Sequence, residues 1–164
     1  MTSLKERMTD ALQTTDHAPA GWVPFAIRTG FIAVNGPLYA KKDGGELVMG
    51  MRVEERHCNP NKACHGGMLM TFADMFLPIG ARFAAKMPAV FLPTINLTMD
   101  YLAPAPLGTW IEGRARLLRV TRNLVFADGT ITDGETIVAR TNGTFKIGKP
   151  NSDISLLDTL FADD

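Results

Sequence analysis

At 164 residues, with 46% hydrophobic and 21% charged, the chain has the size of one domain and enough apolar material for a core without staples. Seventeen Lys and Arg balance seventeen Asp and Glu, so no net field would hold a nucleic-acid backbone or an anionic membrane surface, and neither partner is expected. Residues 1–12 mix Lys5, Glu6, Arg7 and Asp10 with apolar side chains instead of forming a secretory signal, which points to a cytoplasmic protein with reduced thiols at Cys58 and Cys64.

In chain order, Ser3 and Glu6 have the form of a capping box and predict a peripheral helix over residues 4–13. Residues 14–24, rich in Ala, Pro and Gly, read as a connection, and a first strand is expected over 31–34. An Asp43-Gly44-Gly45 turn between extended segments 38–42 and 46–56 reads as a β-hairpin. From Gly66 to about Lys86, Met68, Phe72, Met75, Phe76, Ile79 and Phe83 recur at spacings of three and four, the period of a helix. Almost every face of that helix is apolar, so it belongs in the middle of the fold with a sheet around it. Asp74, Pro78 and Arg82 interrupt it, which argues against a lipid-facing span.

The second half alternates with a period of two. Ile95, Leu97 and Met99 form one apolar side, and Ile111, Gly113, Ala115 and Leu117 another. A segment over 124–132 turns at Asp133-Gly134 and pairs with 136–147, where Ile137, Ala139, Thr141, Phe145 and Ile147 share a side. The reading is an antiparallel meander in which the small residues Gly113, Ala115, Ala139 and Gly143 let the helix lie close. The class is α+β, a single domain over 1–164 with a polar tail from 149 that ends in a helical turn or two over 154–161.

Two features carry chemistry. A carboxylate at Asp74, mid-way along a nearly apolar helix, costs several kcal/mol to desolvate unless it is paired, hydrated or used. Pro78 lacks an N–H, so the Asp74 carbonyl loses its helical partner and a bend is expected there. An ion pair with Arg82, eight residues on, would have to span about 12 Å of rise. The segment from Asn59 to Cys64-His65-Gly66-Gly67 precedes the helix, and its two glycines leave the first amide N–H groups uncovered. Such groups can hold an oxyanion, with the helix dipole adding to the attraction.

Asn59, His65-Gly66-Gly67, Asp74 within Phe72-Ala73-Asp74, Asn96-Leu97-Thr98 and Tyr101-Leu102-Ala103-Pro104-Ala105 together resemble the hotdog-fold thioesterases of the 4-hydroxybenzoyl-CoA thioesterase superfamily, PaaI-like branch. The resemblance spans about residues 45–147. It implies a curved antiparallel sheet wrapped around one central helix, an acyl-CoA substrate, no cofactor, and a homodimer or dimer of dimers. Carried onto this sequence, the Gly66 amide would polarise the thioester carbonyl and Asp74 would act as general base or nucleophile. Asn59 and His65 would orient substrate or water. Gly67 and the early-strand hydroxyl of Thr94 would contact the substrate.

Geometry also calls for two subunits. Gly66 and Asp74 lie about 12 Å apart along one helix, whereas reacting groups must approach within roughly 3 to 3.5 Å. Two helices meeting about a two-fold axis would set Gly66 of one against Asp74 of the other. His57-Cys58 and Cys64-His65 do not read as a metal site, because the cysteines are too far apart for a zinc knuckle and adjacent residues point apart. Cys64 as nucleophile would need His65, its own neighbour, as base. Arg114, Arg116, Arg119 and Arg122 are either a solvated strand face or contacts for the coenzyme A phosphates. A 3-hydroxyacyl-thioester dehydratase and a non-catalytic acyl-CoA-binding module are the alternative functions.

Overall fold

The computed structural model describes residues 18–25, 27 and 29–150. The helices expected over 4–13 and 154–161 lie outside them. In order come β1 (Val23–Phe25), α1 (Gly30–Asn35), β2 (Leu38–Asp43), β3 (Glu46–Arg52), a 3-10 turn (Glu55–His57) and α2 (Gly66–Ala84). Four strands follow: β4 (Thr94–Tyr101), β5 (Trp110–Val120), β6 (Leu124–Asp133) and β7 (Thr136–Lys146). All seven strands form one antiparallel sheet in the order β1-β2-β3-β5-β6-β7-β4. The sheet covers one side of α2, the hotdog arrangement that the resemblance implies.

The core lies between them. Phe72, Phe76 and Leu77 of α2 are buried against Met49, Met51, Ile111, Ile131 and Phe145 of the strands. The helix can approach because the sheet offers it bare backbone. A Cβ on Gly113 would stand 2.3 Å from the Phe76 ring, and one on Gly129 would stand 2.8 Å from it. From the helix side, a Cβ on Gly80 would meet Ala115 at 2.7 Å. Gly143, expected to serve the same purpose, instead makes room for Phe145 of its own strand and Leu97, its cross-strand partner.

Four expectations are corrected. Residues 31–34 are not a strand but the body of α1, a case of the helix-strand ambiguity of short apolar runs. Ile32 packs on the core, the Gly36 N–H closes the last turn on the Ile32 carbonyl at 2.7 Å, and Pro37 follows. The last four strands are not a simple meander. Only β5-β6-β7 follow one another, while β4 lies beyond β7 and β5 pairs with β3. The chain leaves α2 at one edge of the sheet and returns to its middle through residues 102–109, whose amides bond the loop before α2: Cys64 N–H to Ala105 O and Leu107 N–H to Lys62 O, both 2.8 Å. Ile137 does not share the side of Ala139, because the pairing of Ile131 with Ala139 and of Thr132 with Ile137 leaves Val138 as an extra residue. Val138 is buried and Ile137 exposed. Finally, α2 is not enclosed all round within this chain. Gly67 and Asp74 are exposed, and Met70, Thr71, Met75 and Ile79 are only half-buried.

The close approach at Gly113 is testable. Gly113→Ala places a methyl inside the Phe76 ring and is expected to lower stability by about 1–3 kcal/mol. Urea unfolding checks this, and an unchanged midpoint would contradict the packing account.

Candidate active site

The site begins where β3 ends. Cys58 and Cys64 face each other as an isolated antiparallel bridge, flanked by Asn59 N–H to Ala63 O at 2.8 Å and His65 N–H to His57 O at 2.7 Å. Within the loop so closed, the Asn59 Oδ1 accepts the N–H groups of Asn61 at 2.9 Å and Ala63 at 3.4 Å. The carboxamide oxygen of Asn59 is thus engaged by its own loop, as Asn side chains commonly are in turns.

His57 fastens this loop to α1. It is buried, its Nδ1 accepts the Glu54 N–H at 3.0 Å, and its Nε2 lies 3.0 Å from the Asn35 carbonyl. A neutral ring with its proton on Nε2 satisfies both contacts. Burial, with the Arg56 charge second, holds its pKa below the usual 6.5, against an opposing pull from Glu54.

His65 is the N-cap of α2, and its Nδ1 accepts the Gly67 N–H at 2.9 Å. The Gly66 N–H, one residue earlier, meets no acceptor among the described residues. An amide so placed at a helix start can donate to an incoming oxygen. The Gly66 carbonyl accepts the Tyr101 hydroxyl at 3.0 Å, and a Cβ at Gly66 would stand 3.2 Å from the Tyr101 ring. Glycine at this position therefore lets the Tyr101 ring close against the helix start.

Two turns further along, Asp74 lies on the exposed side of α2 rather than buried, and its Oδ1 accepts the Thr94 hydroxyl at 2.5 Å. Strict alternation would put Thr94 on the same side as Asn96, away from the helix. A bulge reverses this: Thr94 pairs with Phe145 and Asn96 with Thr144, so Ile95 is an extra residue. Directly paired residues share a side, and Phe145 belongs to the core, so Thr94 faces α2.

The fold thus brings together Asp74 with Thr94, His65 with Gly67, and Gly66 with Tyr101, and leaves Asn59 with its own loop. It does not bring Gly66 to Asp74, because both lie on the same continuous helix, about 12 Å apart. Tyr101 received no role from the sequence alone, although its place on one side of β4 with Leu97 and Met99 was a signal that it faces α2.

The arginines of β5 lie on the other face of the sheet. Arg116 makes a two-pronged contact with Asp128, its cross-strand partner, at 2.9 and 2.5 Å, and its hydrogen bond holds the Asp128 carboxyl below the usual range. Arg114 meets Asp43 at 2.6 Å with the same effect on that carboxyl. Arg140 pairs with Asp100 at 2.7 Å. For Arg114 and Arg116 this is a strand face of ion pairs, opposite the face that packs on α2.

With this geometry in hand, the comparisons are specific. A family model described as the thioesterase superfamily matches residues 61–139, a span holding His65, Gly66, Asp74, Thr94 and Tyr101. The protein PA0474 of Pseudomonas aeruginosa, named as an esterase, is 30% identical over 132 residues, covering 80% of this chain and 98% of that one. This chain belongs to the thioesterase superfamily. A thioesterase of the mouse, acyl-coenzyme A thioesterase 13, is 27% identical over 106 residues, covering 63% of this chain and 74% of that protein. The zebrafish thioesterase superfamily member 2 shares the fold at a TM-score of 0.64 and 23% identity, covering 90% of this chain and all of that one. Structures of PaaI share it as well. The chain is a thioesterase with the hotdog fold.

The His57 contact yields a pH prediction. Its native pKa is below the unfolded value of 6.5, so the unfolded chain binds more protons in between. The stability it contributes is whole above about pH 6.5 and is lost as pH falls through the lowered native value. Unfolding free energies measured in urea from pH 5 to 8 should decline on the acid side in the wild type. A His57→Gln variant should show a flatter profile, and an equal decline would remove His57 as the cause.

Proposed function

We propose that this thioesterase hydrolyses acyl-CoA thioesters to the free acid and coenzyme A, in two equivalent sites shared between the subunits of a homodimer. One observation carries the reading: the free Gly66 amide and the Asp74 carboxylate stand on one helix, about 12 Å apart, too far to act on the same carbonyl. The helix face between them, through Gly67, Met70, Thr71 and Asp74, is the one its own sheet leaves uncovered. A second copy related by a two-fold axis lays the same face antiparallel against it and brings its Asp74 opposite Gly66. A dimer of dimers would form through surfaces outside this face. The name of acyl-coenzyme A thioesterase 13, the mouse relative, supports coenzyme A as the thiol.

In such a site the thioester carbonyl points its oxygen at the Gly66 N–H. Asp74, acting as base, takes a proton from water as the water oxygen adds to the carbonyl carbon, and the negative oxygen that forms is held by the Gly66 N–H at the helix start. The C–S bond then breaks, and the thiolate takes up the proton as the acid is released. As nucleophile, Asp74 would attack the carbon itself, the C–S bond would break with loss of the thiolate, and water would cleave the resulting anhydride. In both cases the Thr94 hydroxyl, bound to Oδ1, fixes the carboxylate and leaves Oδ2 for the reaction. His65 spends Nδ1 on capping Gly67 and presents Nε2 to substrate or water, while Asn59 shapes the loop beside it and offers its amide nitrogen.

The test is free-thiol release from a panel of aryl- and alkyl-CoA esters. Wild type should release thiol, and a folded Asp74→Asn should be at least about a hundredfold slower. Equal rates would overturn the role of Asp74. Formation of an enoyl product without thiol would make the chain a dehydratase, and tight binding with no turnover a binding module. Shared sites predict more: Asp74→Asn mixed and refolded with Gly66→Pro, each nearly inactive, should recover about a quarter of wild-type activity, because half the dimers are mixed and each has one intact site. No recovery from a mixture shown to exchange subunits would place both groups in one chain's site.

A further inference from the structure

The two cysteines of the chain lie in the loop before α2, and nothing in the proposed hydrolysis uses them. They are free thiols, Cys58 half-buried and Cys64 buried. Their relation is not one of mere proximity in sequence. They are direct partners of an antiparallel bridge, and the hydrogen bonds beside them, Asn59 N–H to Ala63 O and His65 N–H to His57 O, flank the pair instead of joining it. That is the pattern of a non-hydrogen-bonded pair, in which the Cα atoms stand about 4.5 Å apart and the side chains leave on the same side. A disulfide needs Cα atoms about 4.4 to 6.8 Å apart, so the backbone already meets the requirement.

We propose that Cys58 and Cys64 are a reversible disulfide modification site, a latch across the neck of the loop that carries Asn59 and delivers His65 and Gly66 to the helix start. In the reduced chain each thiol has a local contact of its own. The Cys58 S–H donates to the Glu54 carbonyl at 3.3 Å, and the Cys64 S–H lies 3.9 Å from the His65 carbonyl. Rotation about each Cα–Cβ bond suffices to bring the sulfurs together, with the neck hydrogen bonds unbroken.

The oxidant is a small-molecule disulfide of the glutathione class. The Cys58 thiolate attacks one of its sulfurs, the S–S bond breaks, and the first thiol leaves with the proton that Cys58 has lost. Cys64 then loses its proton and attacks the Cys58 sulfur, expelling the second thiol. Two hydrogens pass from the protein to two small thiols, so the cysteines are oxidised and the small disulfide reduced. The order follows from access: Cys58 is the less buried, while burial pushes the Cys64 thiol up to about 12. Cys64 is the resolving group, acting only once the mixed disulfide stands beside it.

The latch encloses five residues, from Asn59 to Ala63. It restricts opening of the neck without displacing it, so its signature is slower exchange of the Asn59 and His65 amides, which bridge the neck.

The experiment treats the folded chain with oxidised glutathione and reads intact mass, thiol count and amide exchange. Wild type should lose both thiols and the mass of two hydrogens, retain no glutathione, and return to the starting mass with dithiothreitol. Exchange at Asn59 and His65 should slow by about tenfold or more in the oxidised form. Cys64→Ser should retain one glutathione on Cys58. A wild type that keeps its glutathione, keeps both thiols, or links chains to each other overturns the proposal, as does a disulfide that leaves exchange unchanged. The wild-type mass decides even where the variant does not fold.

Discussion

The position of α2 rests on an aromatic ring laid against bare backbone. Phe76 occupies the space that side chains at Gly113 and Gly129 would fill, and Gly80 admits Ala115 from the opposite direction. Packed interiors deform little, so the helix has one depth and one height over the sheet. Everything chemical in the chain is referred to that placement: the start of α2 is fixed beside the returning 102–109 segment, Asp74 is fixed opposite β4, and the far side of the helix is turned outward.

The elements with a long repeat were legible in the sequence. The three- and four-residue spacing from Met68 to Phe83 located α2 to within two residues of its end. The alternation in residues 111–117 gave the correct inward side of β5. What escaped was what periodicity does not encode. Single extra residues at Ile95 and Val138 reverse the phase of a strand, and neither has a composition that announces it. The order of strands was hidden because pairing across 40 residues leaves no local trace. Residues 31–34 are too short to separate a helical turn from a strand.

The same limit governed the site. That Asp74 carries a function was argued from the cost of burying it, yet within one chain it is exposed and bonded to Thr94. The premise of an all-round apolar helix fails on the face where Gly67 and Asp74 emerge. Asn59 and His65 were legible as members of a motif, but not their contacts. Each uses one atom to hold local backbone, Asn59 its own turn and His65 the first turn of α2. The helix start is thereby built before any ligand arrives, from side chains whose remaining polar atoms stay available. Preorganisation of this kind is what a lone amide needs in order to act as a donor of fixed direction.

Strand β4 touches the reactive stretch of α2 at both ends. Its first residue, Thr94, holds Asp74, and its last, Tyr101, holds the carbonyl of Gly66. Between them the strand runs antiparallel to the helix like a tie-rod pinned at two joints, and it is itself fastened on one edge only, to β7. A shift of that rod along its axis is transmitted to Asp74 and to the Gly66 carbonyl together, in the same direction and at the same moment. The two residues are therefore mechanically coupled within a chain, although in the proposed dimer they would serve different carbonyls.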